Sequence, residues 1–337
     1  MDRPFSGNYR RVAEAAVILT GLYLFLAIFD VITDPPFIVT AIGVVFVLYC
    51  IWGLPAIDRR IAGEKAAAAT GGAGASPAGT RDAGPAPCRC RGWDVLLFFS
   101  ITLITFAVLH FFILYMHEFS HSFFAYFLGA KADPWDITWG RGIFGVHCDE
   151  NVDYSPLFDS GKGATAAAIA FAGPLSNIML FLVTAAVLRL REVRERPWAF
   201  HTVFWASAIT FIMVFEYVFT RSFLTGDDFG NIEHGLSLSP WLVFIPGTVL
   251  GLIGLWYIFT VMLPAHYRIV TPGDTAKQYV TIASLSFVFF LLYIGIRVLA
   301  FPSVPEWWCG CIGIAALFAA PVLASPVRRW VCEKVGG

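Results

Sequence analysis

The sequence predicts an all-α polytopic membrane protein with about eight transmembrane helices. Three observations carry that expectation. Hydrophobic residues make up 58% of the chain and charged residues only 14%, where a soluble domain carries about 25% charged residues. Mean hydropathy is +0.70. Apolar runs recur at the roughly 20-residue length that crosses a bilayer. Together they exclude a soluble globular domain and make the lipid bilayer a partner of this chain. A net charge of −1 gives no support to a nucleic-acid partner.

Taken in order, the runs fall at about 12–33, 37–56, 95–128, 163–189, 199–220, 241–263, 278–299 and 307–326. The first is too long for a signal-peptide core and has no small-residue cleavage site after it, so it reads as a retained span. Asp34-Pro35-Pro36 makes the turn to the second. Residues 1–57 are thus a two-helix hairpin. An Ala-, Gly- and Pro-rich stretch at 58–92 reads as a flexible linker. Residues 93–239 form a core region and 240–337 a three-helix C-terminal region. Gly129 ends the third run. In the polar segment behind it, the alternating patches 135–139 and 142–146 can form a short β-hairpin. The chain has seven Cys. The pairs Cys88/Cys90 and Cys309/Cys311 lack the partners of a zinc knuckle and read as free or interfacial thiols.

The third run contains His117-Glu118-Phe119-Ser120-His121. HExxH on a helix puts two imidazoles one turn apart on one face, which suits the first two ligands of a zinc ion. Glu118 is then placed to take a proton from metal-bound water. The composition gives roughly 0.004 chance occurrences of this motif. Ionisable residues so close to a lipid-spanning segment also point to function. Such a site needs a third protein ligand. Asp227, Asp228, Glu216, Asp149, Glu150, Asp153 and Glu233 all emerge where they could supply it, and spacing alone does not choose. The fourth run carries Gly173-Pro174-Leu175-Ser176-Asn177, which frees a backbone carbonyl and bends the helix toward a cavity or a neighbour.

HExxH in a membrane helix, then Ala-Gly-Pro-x-x-Asn, then Gly226-Asp227-Asp228-Phe229-Gly230-Asn231-Ile232, resembles the site-2 protease family of intramembrane zinc metallopeptidases. The resemblance covers about residues 95–235. It implies one zinc per chain held by His117, His121 and an Asp. It makes Glu118 the general base and Asn177 a residue that positions substrate or an oxyanion. The family's usual loop is Leu-Asp-Gly-Gly; the form here is closer to variant members, which aligns Asp228 as the third ligand. Asn231 then reads as a loop-to-helix cap. The implied substrate is a membrane protein or transmembrane peptide, and the hairpin could offer it an edge strand. Two alternatives use the same residues. One is a non-proteolytic membrane protein with a structural or sensing zinc site. The other is a zinc protease of the prenyl-protein-processing type, whose third ligand would be Glu150, Glu216 or Glu233.

His110, seven residues before His117, reads as hydrogen-bonded within the bundle, and His147 as a solvated loop residue. Trp241, Trp307 and Trp308 fit an interfacial belt. Of the 23 Lys and Arg residues, 18 fall on the side of the termini and the linker. Arg189, Arg191, Arg194 and Arg196 are among them. Lys131, Arg141, Lys162, Arg221 and Arg297 fall opposite. This bias predicts cytoplasmic termini and an outward-facing HExxH end, whereas the best-known family members open toward the cytosol. Reporter fusions test it: a fusion after Gly140 should read as external and one after Arg194 as cytoplasmic. A cytoplasmic Gly140 overturns the assignment.

Overall fold

The structure is a computed structural model that describes residues 45, 46, 49, 92–141, 146–295 and 307–336. The first expected span, most of the second and nearly all of the linker lie outside these residues. Among the described residues, five helices are long and apolar enough to cross a membrane: Trp93–Phe127, Gly163–Val187, Pro197–Arg221, Pro240–Ile269 and Thr275–Gly295. They match the third to seventh expected runs. The eighth run is a shorter apolar helix, Trp307–Leu323.

Helix α1 (Gly92–Phe127) is 36 residues long. At about 1.5 Å per residue it exceeds the roughly 30 Å hydrocarbon core, so it tilts or protrudes. Its outer face stays apolar throughout, with Trp93, Leu97, Ile104, Phe112, Phe124 and Phe127 exposed. Gly129, at φ +72°, ends it as expected. The Ala130 N–H returns to the Ala125 carbonyl at 2.8 Å, which closes the helix C-terminus.

The hairpin exists, with strands later than the alternation suggested. β1 (Thr138–Arg141) and β2 (Val146–Asp149) are antiparallel, with Trp139 opposite Cys148. Asp133 takes Trp135 into a turn by accepting its N–H at 2.9 Å, a local side-chain bond that competes with strand pairing. Of the second patch, only Val146 lies among the described residues, where it begins β2.

α2 (Ser155–Asp159) leads into α3 (Gly163–Val187), which runs through Pro174. A short α4 (Arg191–Arg194) precedes α5 (Pro197–Arg221). α5 lies at the centre of the bundle, with 16 of its residues buried. It packs against α1, α3, the sixth span and the seventh. Asp228–Leu236 forms α6, which packs on α3.

α7 (Pro240–Tyr257) leans on α5 through a glycine stripe. A Cβ at Gly247, Gly251 or Gly254 would meet Val218, Phe215 or Phe211 at 2.5, 2.0 and 2.2 Å. The helix continues through a π-helical turn, Ile258–Met262, into α8 (Leu263–Ile269). Pro264 has no N–H to offer the Thr260 carbonyl, and the Lys334 ammonium donates to that carbonyl at 2.8 Å instead.

α9 (Thr275–Ser286) also widens into a π-helix, Phe287–Gly295, then α10 (Trp307–Leu323) and α11 (Arg329–Gly336) follow. Tyr49, from the second expected span, donates its hydroxyl to the Phe318 carbonyl of α10 at 2.6 Å. Cys309 and Cys311 form no disulfide. Trp241 and Trp307 are about half exposed, whereas Trp308 packs edge-on to Phe219 and Phe244.

The glycine stripe gives a stability test. Gly251→Val should lower the stability of the detergent-solubilised chain by about 1–3 kcal/mol through overpacking. An unchanged thermal unfolding midpoint would mean that α7 does not rest on Phe215.

Candidate metal centre

α1 delivers both histidines to the bundle interior. His117 and His121 are buried, with relative exposures of 1% and 0%. Their Nε2 atoms stand 3.1 Å apart. The third group comes from the first residue of α6. Asp228 Oδ2 lies 3.0 Å from His117 Nε2, and Oδ1 lies 3.4 Å from His121 Nε2. Among the described residues, these three are the only His, Cys, Asp or Glu side chains grouped closely enough to hold an ion. Their candidate ligand atoms all lie within 4.8 Å of one another. Burial works to raise the Asp228 carboxyl, but the two imidazoles outweigh it and hold the group well below the usual carboxylate range.

Each imidazole is oriented from its far side. His121 Nδ1 lies 2.8 Å from the Ile169 carbonyl of α3. With an ion bound, donation there would leave a lone pair on Nε2 to meet it. The sequence suggested a carbonyl freed by Pro174, whose helical partner would be Ala170. The carbonyl in use is Ile169's, one residue earlier. His117 Nδ1 lies 3.0 Å from Asn177 Nδ2. The amide donates to a neutral Nδ1, which leaves the Nε2 proton for Asp228. If a metal took Nε2, the proton would sit on Nδ1, and the amide turned over would accept it through Oδ1. That oxygen is buried and has no hydrogen-bond partner. Asn177 is therefore placed on His117, where the resemblance would put it on substrate or an oxyanion.

Gly173 sets how closely α3 approaches. A Cβ there would lie 2.1 Å from His121 Nε2 and 2.7 Å from His117 Nε2. The absent side chain leaves room at the faces of both histidines that would meet an ion. A His₂Asp donor set, a glycine cradle at its mouth and an orphaned amide oxygen behind it all fit a zinc ion.

Two of the other candidate carboxylates are engaged elsewhere. Arg221 Nε holds Glu216 Oε1 at 3.0 Å, and Arg221 Nη1 holds Asp227 Oδ2 at 3.1 Å. Asp227 also caps α6 by accepting the Asp228 N–H at 3.1 Å. The cap is therefore Asp227. Asn231, expected in that role, lies inside the first turn, where its N–H donates to the Asp227 carbonyl at 2.8 Å. Gly226, at φ +82°, turns the chain just before. Gly230 is forced by contact, since a Cβ would meet the Leu224 carbonyl at 2.2 Å.

Glu118 is buried beside the histidines. Its charge acts on Cys148 of β2 and on Tyr154, and also on Tyr217 of α5. Burial pushes the Cys148 thiol up to about 12, with Glu118 adding to the effect. Glu150 comes close enough to feel His121 and Asp228, and burial raises its carboxyl. Tyr154 donates its hydroxyl to Glu150 Oε1 at 2.9 Å. Tyr115 donates to the Trp139 carbonyl, and Lys131 donates to the Asp136 and Glu150 carbonyls. The Tyr115 bond ties β1 to α1, and the Lys131 bonds tie the segments flanking the hairpin to the turn after α1. His110 Nδ1 pairs with the Tyr293 hydroxyl at 2.6 Å, the within-bundle bond expected of it. The His147 side chain lies outside the described residues.

Sequence reasoning did not anticipate Gly173 as a cradle, Arg221 as the partner of two carboxylates, or Tyr217, whose ring lies 5.4 Å from that of His117. For Arg221 a signal existed: an arginine five residues after a carboxylate at the end of an apolar span. Compared with known proteins, the chain matches no family model, no curated protein and no solved structure.

Gly173→Ala should abolish stoichiometric zinc binding in the purified chain. Asn177→Leu should weaken it about 10–100-fold, as for other groups that orient metal ligands. Zinc content and chelator competition measure both. Unchanged zinc in Gly173→Ala would separate the histidine nitrogens from metal binding.

Proposed function

We propose that this chain is an intramembrane zinc endopeptidase that hydrolyses peptide bonds of membrane-spanning substrates. The observation that carries the proposal is the buried His117–His121–Asp228 group, with Glu118 on the same helical turn, in a helix apolar enough to span a bilayer. Three protein ligands from nitrogen and oxygen leave a fourth position open, which is the pattern of catalytic rather than structural zinc. The resemblance to site-2 proteases supports the same chemistry from the motif order.

Zinc bound there would supply Lewis acidity to a scissile carbonyl and to water. The remaining work falls to the chain's own side chains. Glu118 takes the proton of the attacking water and returns it to the leaving amine. His121 is fixed by the Ile169 carbonyl and His117 by Asn177, so neither imidazole has to reorient during turnover. The β1–β2 hairpin offers backbone groups against which an unwound substrate segment can pair.

Glu118→Gln should retain zinc and the fold and lose at least about 100-fold in cleavage of a model transmembrane peptide. The comparison is made with purified wild-type chain in detergent. Retained cleavage contradicts the mechanism. In the same assay His117→Ala should lose bound zinc, and unchanged zinc content refutes the ligand assignment.

A further inference from the structure

A guanidinium sits directly behind the metal centre. Arg221 ends α5, and its side chain is only 22% exposed. A charge at this depth in an apolar bundle is costly unless it is paired. Arg221 is paired twice, with its two prongs divided. Nε holds Glu216 at 3.0 Å, and Nη1 reaches both oxygens of Asp227 at 3.3 and 3.1 Å. Glu216 is held in turn by the Thr220 hydroxyl at 2.9 Å. The guanidinium carbon also lies 4.1 Å from the centre of the Tyr217 ring, within reach of a cation–π contact. That ring also lies 5.4 Å from the ring of His117.

The path from Arg221 to the metal is short and covalent at its end. Asp227 accepts the Asp228 N–H and begins α6. The next side chain, Asp228, faces both histidines. We propose that Arg221 is the positioning residue that sets the aim of Asp228, by holding Asp227 with one prong while anchoring the other on Glu216. The inference rests on the metal-centre reading above and adds a residue to it. Arg221 touches neither ligand atoms nor substrate; it acts through Asp227 and through the face of Tyr217. Lysine cannot replace it, because one ammonium does not present the divided prongs of a guanidinium.

The test uses the full chain purified in detergent, with zinc affinity measured by chelator competition and cobalt(II) as a spectroscopic probe of ligand geometry. Removing Arg221 alone would take the guanidinium from the buried Glu216 carboxylate, so the informative variant is Arg221→Met combined with Glu216→Gln. It should unfold near the wild-type temperature, bind zinc about 10–100-fold more weakly, and shift the visible bands of bound cobalt. Glu216→Gln alone keeps both prongs, its amide oxygen still accepting from Arg221 Nε, and should leave both readouts at wild type. If the double variant does not fold, Arg221→Lys takes its place with the same expected loss. Wild-type zinc affinity together with an unchanged cobalt spectrum in the folded variant overturns the inference while leaving the metal centre standing. A wild-type chain that binds no zinc overturns both.

Discussion

A carboxylate buried between two imidazoles, Asp228 against His117 and His121, is the interaction on which the rest of the structure depends. Few environments are worse for a carboxylate than the interior of an apolar helical bundle. Its presence there is stabilised by what surrounds it: two histidines facing it and a helix N-terminus at its own backbone. The core is arranged to bring these together. α1 carries the imidazoles, α3 supplies the Ile169 carbonyl and the Asn177 amide that orient them, and α6 starts where its first side chain meets them.

Close approach of α3 makes this geometry possible, and it rests on missing side chains. Gly173 allows the α3 backbone to lie against both histidine nitrogens. A second close contact, between Gly163 and Gly235, joins α3 to α6: a Cβ on either would meet the other's carbonyl oxygen at 2.5 or 2.2 Å. The residues that carry chemistry are thus held by helices packed backbone to backbone, the mode of association favoured within a bilayer. The hairpin is fixed to the same assembly by Tyr115, and the segment behind it by Lys131.

Much of this was legible in the sequence where the signal was local. Apolar run length located the described spans to within a few residues, apart from the sixth, which the π-turn and α8 carry on to Ile269. Helical spacing put His117 and His121 on one face because i and i+4 always share a face. What could not be read was anything set by distant contact. Asp228 lies 111 residues from His117, and it is adjacent to an identical side chain. Residues alone do not choose it over Asp227; in the fold, Arg221 pairs with Asp227 while Asp228 faces the histidines. Resemblance to a motif pointed to Asp228, the carboxylate that faces both histidines, without that reason. The hairpin's strands were misplaced for a local cause, the Asp133 turn that captures Trp135. Asn231 was misread as a cap because Asp227 already caps the helix.

The most direct test of the account is zinc K-edge X-ray absorption on the purified wild-type chain. The account predicts one zinc per chain with two imidazole ligands, a carboxylate oxygen and one further light-atom ligand. Absence of zinc, or a sulfur-ligated zinc drawn from the cysteines, would contradict it.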